Sequence, residues 1–168
     1  MPGNAFIKFA GVDKGESFQE NFHGDQGWIE IGDWSWDIEA ESSFLKGGGA
    51  AVGKATPGVF SFSHYFDKAS PTIMRNIVKG VHFATVEVVM CKQVGDDDGL
   101  PKQYFQVTMK DAFTTKVSTK GGEDGGVSQD VEMVAKSIAI NYKPQDNKGK
   151  LGSELPFEWD IAANKIIK

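Results

Sequence analysis

Residues 28–39 read WIEIGDWSWDIE, and this stretch decides the fold class of the chain. Apolar and polar residues alternate along it, which is typical of a strand with one buried face. The apolar positions are odd before Gly32-Asp33 and even after it. A β-bulge at that dipeptide would return both sets to one face. The predicted core residues of this long strand are Ile29, Ile31, Trp34, Trp36 and Ile38.

The same alternation continues outward along the chain. Residues 59–66 would place Phe60, Phe62 and Phe66 on one face. In residues 127–142 the buried set again changes parity, between Met133 and Ile138. Twenty glycines against six prolines suit a chain with many turns. The predicted strands besides 28–39 are residues 4–10, 59–66, 83–92, 103–113, 127–142 and 156–161.

One segment has helical spacing instead. Ser70 can cap it, Pro71 suits its first position, and Gly80 can take the left-handed position at its end. Apolar residues at helical spacing give it one apolar face, and Lys79 lies in its last turn. We predict a short amphipathic helix at about residues 71–79. Its predicted apolar face consists of Ile73, Met74, Ile77 and Val78. Seven strands with one helix favour an all-β barrel or sandwich in a single domain over residues 1–168.

Composition argues against several classes of function. The chain has 168 residues, 18 basic against 23 acidic, and Arg75 is its only arginine, so it is poorly equipped to neutralise phosphates. No nucleic-acid partner is expected. The single cysteine, Cys91, allows no intrachain disulfide and is interpreted as a small buried residue. No signal peptide or membrane-length apolar run is present, so we expect synthesis in the cytoplasm and no direct membrane insertion.

The segment 40–57 is rich in glycine and alanine and is predicted as an extended loop, too irregular for a strand. Phe44-Leu45 would give it an apolar tip that is costly to leave in water. A tolerated insertion is one interpretation, and an arm that orders against a neighbouring subunit is the other. The candidate subunit or ring-stacking contacts are Ser42, Ser43, Phe44, Leu45, Lys46, Gly47, Gly48 and Gly49.

Motifs that could support catalysis are incomplete. Residues 48–54 approach a phosphate-binding loop, but Ala55 replaces the Ser or Thr that would hold magnesium and Pro57 excludes the following helix. Residues 96–98 are three aspartates without the spacing of a calcium loop. His64 is interpreted as a hydrogen-bonded packing residue, and Trp28, Trp34 and Trp36 as core or interface aromatics rather than a sugar-binding surface. We therefore predict no catalytic, cofactor-binding or metal-binding residues.

Several stretches together resemble one known family. They are residues 6–9 (FIKF), 28–31 (WIEI), 60–62 (FSF), 67–71 (DKASP), and 138–145 (IAINYKPQ) with Gly149 and the terminal Trp159-Asp160. In this order, over nearly the whole chain, they resemble the haemolysin-coregulated protein (Hcp) family, which forms the inner tube of bacterial type VI secretion. The fold of that family also resembles phage tail-tube proteins.

The resemblance implies a β-barrel of two packed antiparallel sheets with one helix, a homo-hexameric ring, and rings that stack into a tube. It further implies secretion without a signal peptide, partners among the sheath, spike and effector proteins, and a lumen that carries effectors. Segment 40–57 corresponds to the family's long loop, which contacts neighbouring subunits or the next ring. Two alternatives remain: a phage-tail-tube-like structural protein, or a small β-barrel that binds or hydrolyses carbohydrate.

Overall fold

A computed structural model describes residues 4–42, 52–95 and 99–168. Within them the chain forms eleven strands and one α-helix, α1 (Ser70–Lys79). The fold is mainly β, as predicted. The strands are β1 (Ala5–Phe9), β2 (Ile29–Ile31), β3 (Trp34–Ser35), β4 (Ile38–Ser42), β5 (Val52–Pro57), β6 (Phe60–Tyr65), β7 (Phe83–Lys92), β8 (Lys102–Gly121), β9 (Val127–Tyr142), β10 (Leu155–Asp160) and β11 (Lys165–Ile166).

Nine strands form one antiparallel sheet that closes on itself as a barrel. The pairing runs β11-β10-β9-β8-β7-β1-β2, and β6 joins β9 to β3. Closure occurs where β2 passes into β3: the amide of Gly32 donates to the Ser63 carbonyl at 2.7 Å, and the Ser63 amide donates to the Asp33 carbonyl at 3.0 Å. β4 and β5 form a second, two-stranded antiparallel sheet.

The predicted strand at 28–39 is divided into β2, β3 and the start of β4. The parity change at Gly32-Asp33 is where the chain leaves its partner β1 and joins β6. Ile29 and Ile31 are buried, and Trp34 packs against the same core. The prediction that these apolar residues face one core is therefore confirmed for Ile29, Ile31 and Trp34, although the cause is a change of pairing partner and not a bulge. It was wrong for Ile38, which is exposed because it lies in the two-stranded sheet outside the barrel.

The second parity change is confirmed. Met133 and Ile138 are both buried in one core although their positions differ in parity. The matching change on β8 lies around Asp111, which has a φ of 51° and is unpaired between Lys110 and Ala112, whose register with β9 is the same on both sides. A non-glycine residue in that region marks a local bend. β8 was predicted to end at residue 113, but it extends to Gly121 because β9 pairs with it throughout.

Two hydrophobic clusters lie on opposite faces of β1. Ile7 and Phe9 point into the barrel core, and Phe6 belongs to a smaller outer cluster with Trp28, Val89 and Cys91. The connection between β1 and β2 covers this outer face, and its Phe22 ring stacks on Phe6 at 5.4 Å between centroids. Both faces of β1 are therefore buried, one in the barrel core and the other under the β1–β2 connection.

Helix α1 begins one residue earlier than predicted, and its N-terminal cap differs. Ser70 is the first helical residue rather than the cap. The Asp67 carboxylate accepts from the Ala69 amide at 2.8 Å, while the Ser70 hydroxyl accepts from the Asp67 amide at 2.9 Å. Gly80 ends the helix in the left-handed conformation, as predicted. Ile73 is buried, but Val78 is 87% exposed, so the predicted apolar face is only partly covered.

The extended loop predicted at 40–57 is partly strand. Ala40 pairs with Ala55 and Glu39 with Thr56 in the β4–β5 sheet. Strand preference depends strongly on context, and Ala55 packs against the barrel core, which compensates for the weak propensity of the segment. The prediction for Phe66 was also wrong: it lies after the end of β6 and is 41% exposed.

Candidate functional site

A polar sheet face covers one outer wall of the barrel. In β6, Phe60 and Phe62 point into the core, so the intervening Ser61 and Ser63 point outward. β9 alternates in the same way, and Ser63 pairs with Asp130. These side chains line an open concavity of about 590 Å³. The polar sheet face consists of Ser35, Ser61, Ser63, Lys116, Ser118, Lys120, Asp130 and Glu132.

The charges on this face largely compensate each other. Lys120 Nζ lies 2.8 Å from Asp130 Oδ2, and Lys116 is the cross-strand partner of Glu132. The hydroxyls of Ser35 and Ser61 are 2.9 Å apart. Exposed ion pairs contribute little to stability. Their effect here is a hydrophilic wall of serine hydroxyls and facing opposite charges, with no strong net charge.

An acidic–aromatic cleft of about 840 Å³ lies beside this face, at the end of the barrel where β6 stops and β8 turns into β9. The Glu16 amide donates to Asp67 Oδ2 at 2.9 Å, which ties the loop after β1 to the link between β6 and α1. Burial raises the pKa of Asp67 above its usual range, although the Ala69 and Glu16 amides donate to it. The cleft is defined by Glu16, Phe18, Glu30, Asp33, His64, Tyr65, Phe66, Asp67, Lys120 and Asp124.

His64 lies at the floor of the cleft and is 95% buried (5% exposed). Its Nε2 lies 3.1 Å from Gln129 Oε1, and Gln129 Nε2 donates to Thr119 Oγ1 at 3.0 Å. The interpretation of His64 as a hydrogen-bonded packing residue is confirmed. Its Nδ1 has no hydrogen-bond partner among the described residues. Burial lowers the pKa of His64, because the charged form loses its hydration.

The lowered pKa of His64 predicts a pH-dependent stability. The folded protein binds this proton less readily than the unfolded chain, so the stability from neutral His64 is present above about pH 6.5 and is lost as the pH falls below that value. We expect the free energy of unfolding to fall more steeply between pH 7.5 and pH 5 in the wild type than in His64→Gln. Urea titrations at several pH values measure this free energy of unfolding. His82→Gln, at an exposed position 3.7 Å from Asp111 Oδ1, is the control for replacing a histidine outside the cleft.

The structure places the other candidate residues as follows. Ser42 ends β4, and Ser43 to Gly49 lie outside the described residues, as do Asp96 to Asp98. Lys54 and Ala55 lie in β5, so the glycine-rich stretch does not lead into a helix there. Cys91 is buried, as predicted, and burial raises the pKa of its thiol to about 11.

The tryptophans are packing residues. Trp28 is buried in the outer cluster, whereas Trp34 stacks on Phe60 with centroids 5.5 Å apart and donates from Nε1 to Met90 Sδ at 3.1 Å. Trp36 packs against the main core. The interpretation as core aromatics is confirmed, and these three rings do not form one exposed platform for a sugar.

Two kinds of feature are absent from the described residues. Within residues 4–42, 52–95 and 99–168, no group of three or more His, Cys, Asp or Glu side chains could hold a metal ion. In the same part of the chain, no helix is long and apolar enough to cross a membrane.

Sequence reasoning did not identify the cleft. Phe18 and Tyr65 are 89% and 76% exposed, and they come from segments far apart in the chain. A signal existed for Phe18, a lone aromatic within Glu16-Ser17-Phe18-Gln19-Glu20, where no alternation buries it. Tyr65 gave no such signal, because tyrosine suits either face of a strand equally well.

Known proteins share both this sequence and this fold. The sequence profile of a family described as "Type VI secretion system effector, Hcp" matches residues 6–146. Protein hcp1 of Pseudomonas aeruginosa is 30% identical over 167 residues, covering 98% of each protein. Hcp1 from Salmonella typhimurium is 29% identical, with a TM-score of 0.78 over 99% of this chain and 100% of that one. A solved type six secretion system protein is 26% identical, with a TM-score of 0.85 over 96% and 98%. A family match over most of the barrel, with the same fold in solved relatives, shows that this chain belongs to the Hcp family of the type VI secretion system.

Proposed function

We propose that this protein is a structural subunit of the type VI secretion inner tube, in which six copies close a ring and rings stack. The observation that carries the proposal is the closed barrel with one polar wall in a member of the Hcp family. A barrel of this kind presents a fixed surface on every side and exposes few free strand edges. Identical barrels joined by heterologous contacts close into rings when the rotation permits. The role is structural and requires no catalysis.

The polar sheet face is the proposed lining of the ring lumen. Its serine hydroxyls and its compensated Lys120–Asp130 pair make it hydrophilic without a strong field of either sign. Such a wall can lie close to a folded cargo protein without holding it tightly, because a few well-packed side chains, most often Trp, Tyr and Arg, provide most of the binding energy at interfaces. We extend the proposal to effector carriage in this lumen and to secretion of the ring with its cargo.

The assembly proposal is tested by mass and by electron microscopy. Purified protein at micromolar concentration should scatter light as a species of six times 18.3 kDa, and micrographs should show rings. A species that stays at the monomer mass up to high micromolar concentration would contradict the proposal. A bacterial strain with an active secretion system should release the protein into the medium, and a strain without the sheath should retain it.

Segment 40–57 is the proposed stacking arm, with Phe44 and Leu45 as its apolar contacts. The substitutions Phe44→Asp and Leu45→Asp together would place two charges in a contact that must lose water. We expect the double variant to fold as a barrel and form rings, but to lose most tube formation and secretion. Circular dichroism and micrographs separate these effects. Secretion at the wild-type level would remove the arm from the proposal. Lys148→Glu with Lys150→Glu, two exposed positions outside this segment, is the control.

A further inference from the structure

We propose that residues 165–168 of one copy dock into the acidic–aromatic cleft of the next copy, giving a head-to-tail contact between subunits. This inference rests on the proposed assembly and names two surfaces that would meet. It concerns a contact distinct from the 40–57 arm.

The cleft has the chemistry of an acceptor for a cationic, partly apolar chain. Among the described residues, five carboxylates line it against Lys120 as the one lysine or arginine, and Lys120 already pairs with Asp130. Phe18 and Tyr65 present two large aromatic side chains to solvent beside these acids. An exposed aromatic patch with a polar rim is typical of a protein contact site. The unsatisfied Nδ1 of buried His64 at the cleft floor adds a polar atom that the isolated chain leaves without a partner among its described residues.

Residues 165–168 have the complementary chemistry. Their sequence is Lys-Ile-Ile-Lys, and Ile166 and Ile167 are 61% and 48% exposed. The segment is ordered in advance, since the Ile167 amide donates to the Glu158 carbonyl at 2.8 Å and the Glu158 amide donates to the Lys168 carbonyl at 3.0 Å. β11 is the terminal strand of the sheet. A preordered segment loses less conformational entropy on docking than a disordered one.

The cleft lies at the start of β9, whereas β11 lies beside the second half of that strand. Ser128 lines the cleft, whereas Ser137 and Ile138 pair with the β10 residues that carry β11. Nine residues of strand separate these two positions, which is at most roughly 30 Å at the usual rise per residue. Surfaces so far apart do not meet within one copy. Between copies they make a heterologous contact, which generates rings or filaments rather than closed dimers.

Helix α1 is the competing donor, because Arg75 and Lys79 accompany the exposed Val78. It fits less well. The helix starts next to Asp67, which is itself a wall of the cleft, so donor and acceptor would lie at the same end of the subunit. A metal ion is also disfavoured, since no cluster of three potential ligands exists within the described residues.

Charge reversal tests the contact on both sides. The donor variant is Lys165→Glu with Lys168→Glu, and the acceptor variant is Glu16→Lys with Asp33→Lys. Each should raise the protein concentration needed for half-maximal assembly by about tenfold or more, because like charges then face each other. The combined variant, with all four substitutions, should recover assembly. Lys148→Glu with Lys150→Glu, at exposed positions in another turn, is the matched control and should assemble as the wild type.

The outcomes separate this inference from the proposed function. Loss in both single-side variants with recovery in the combined variant establishes the contact. Wild-type assembly in the donor and acceptor variants overturns the contact while leaving the tube function intact. Loss in Arg75→Glu with Lys79→Glu, but not in the donor variant, overturns it in favour of α1. A wild-type protein that never assembles overturns the proposed function itself.

Discussion

Phe9→Ala is expected to lower the free energy of unfolding by about 4 kcal/mol, since removing a buried phenylalanine typically costs 3–5 kcal/mol. Phe9 is completely buried, and its ring lies 4.8 Å from the Phe83 ring and 6.2 Å from the Phe62 ring between centroids. These contacts join β1, β6 and β7 across the barrel interior. The cavity left by alanine cannot collapse easily because strands on all sides are paired.

Urea unfolding followed by circular dichroism measures this loss. Assembly stabilises the folded chain by mass action, so both proteins must be compared at one low concentration at which light scattering shows the same oligomeric state. Phe18→Ala is the matched control: the same substitution, at an 89% exposed position, should change stability by no more than about 0.5 kcal/mol. Equal losses at the two positions would show that Phe9 does not support the core as described.

The strands were predictable because their signal is local. Alternation in β6, β7 and β9 identifies a buried face within a few residues, and the bounds of β7 and β9 agree with the sequence prediction. The two parity changes were also visible locally. Their meaning was not, because a parity change indicates a bulge, a bend or a change of partner equally well. At Gly32-Asp33 it is a change of partner, and at Asp111 a bend.

Barrel closure could not be read from the sequence, because it depends on hydrogen bonds between Gly32-Asp33 and Ser63, thirty residues apart. The β4–β5 sheet was missed for a related reason. Glycine and alanine weaken local strand preference, but pairing and the contact of Ala55 with the core supply what the local sequence lacks.

The candidate surfaces are harder to predict than the core for a physical reason. Core residues share a pattern, because every strand must bury one face. The acidic–aromatic cleft joins the loop after β1, the end of β6 and the β8–β9 turn, and no periodicity links these segments. Family resemblance predicted assembly, but it named segment 40–57 and not the cleft. Only the fold brings Phe18 and Tyr65 to the same cleft.

Gly27→Ala is expected to cost about 3 kcal/mol, although it adds only one methyl group. Gly27 has a φ of 94°, in the left-handed region where a side chain costs roughly 1–2 kcal/mol. A Cβ at this position would also collide with the carbonyl oxygen of Val12, so the connection between β1 and β2 must shift. That shift would disturb the neighbouring Trp28, which packs in the outer cluster with Phe6 and Cys91.

Gly11→Ala separates the two causes. Gly11 has a φ of 84°, but an added Cβ would meet nothing within 4 Å, so only the backbone strain applies and we expect a loss of about 1 kcal/mol. Urea titrations of both variants against the wild type measure the difference. A larger loss at Gly27 assigns the excess to the close approach of Val12, and therefore to the packing of the β1–β2 connection against the barrel. Losses of the same size would mean that the connection adjusts freely, and the outer cluster would then contribute little to the stability of the barrel.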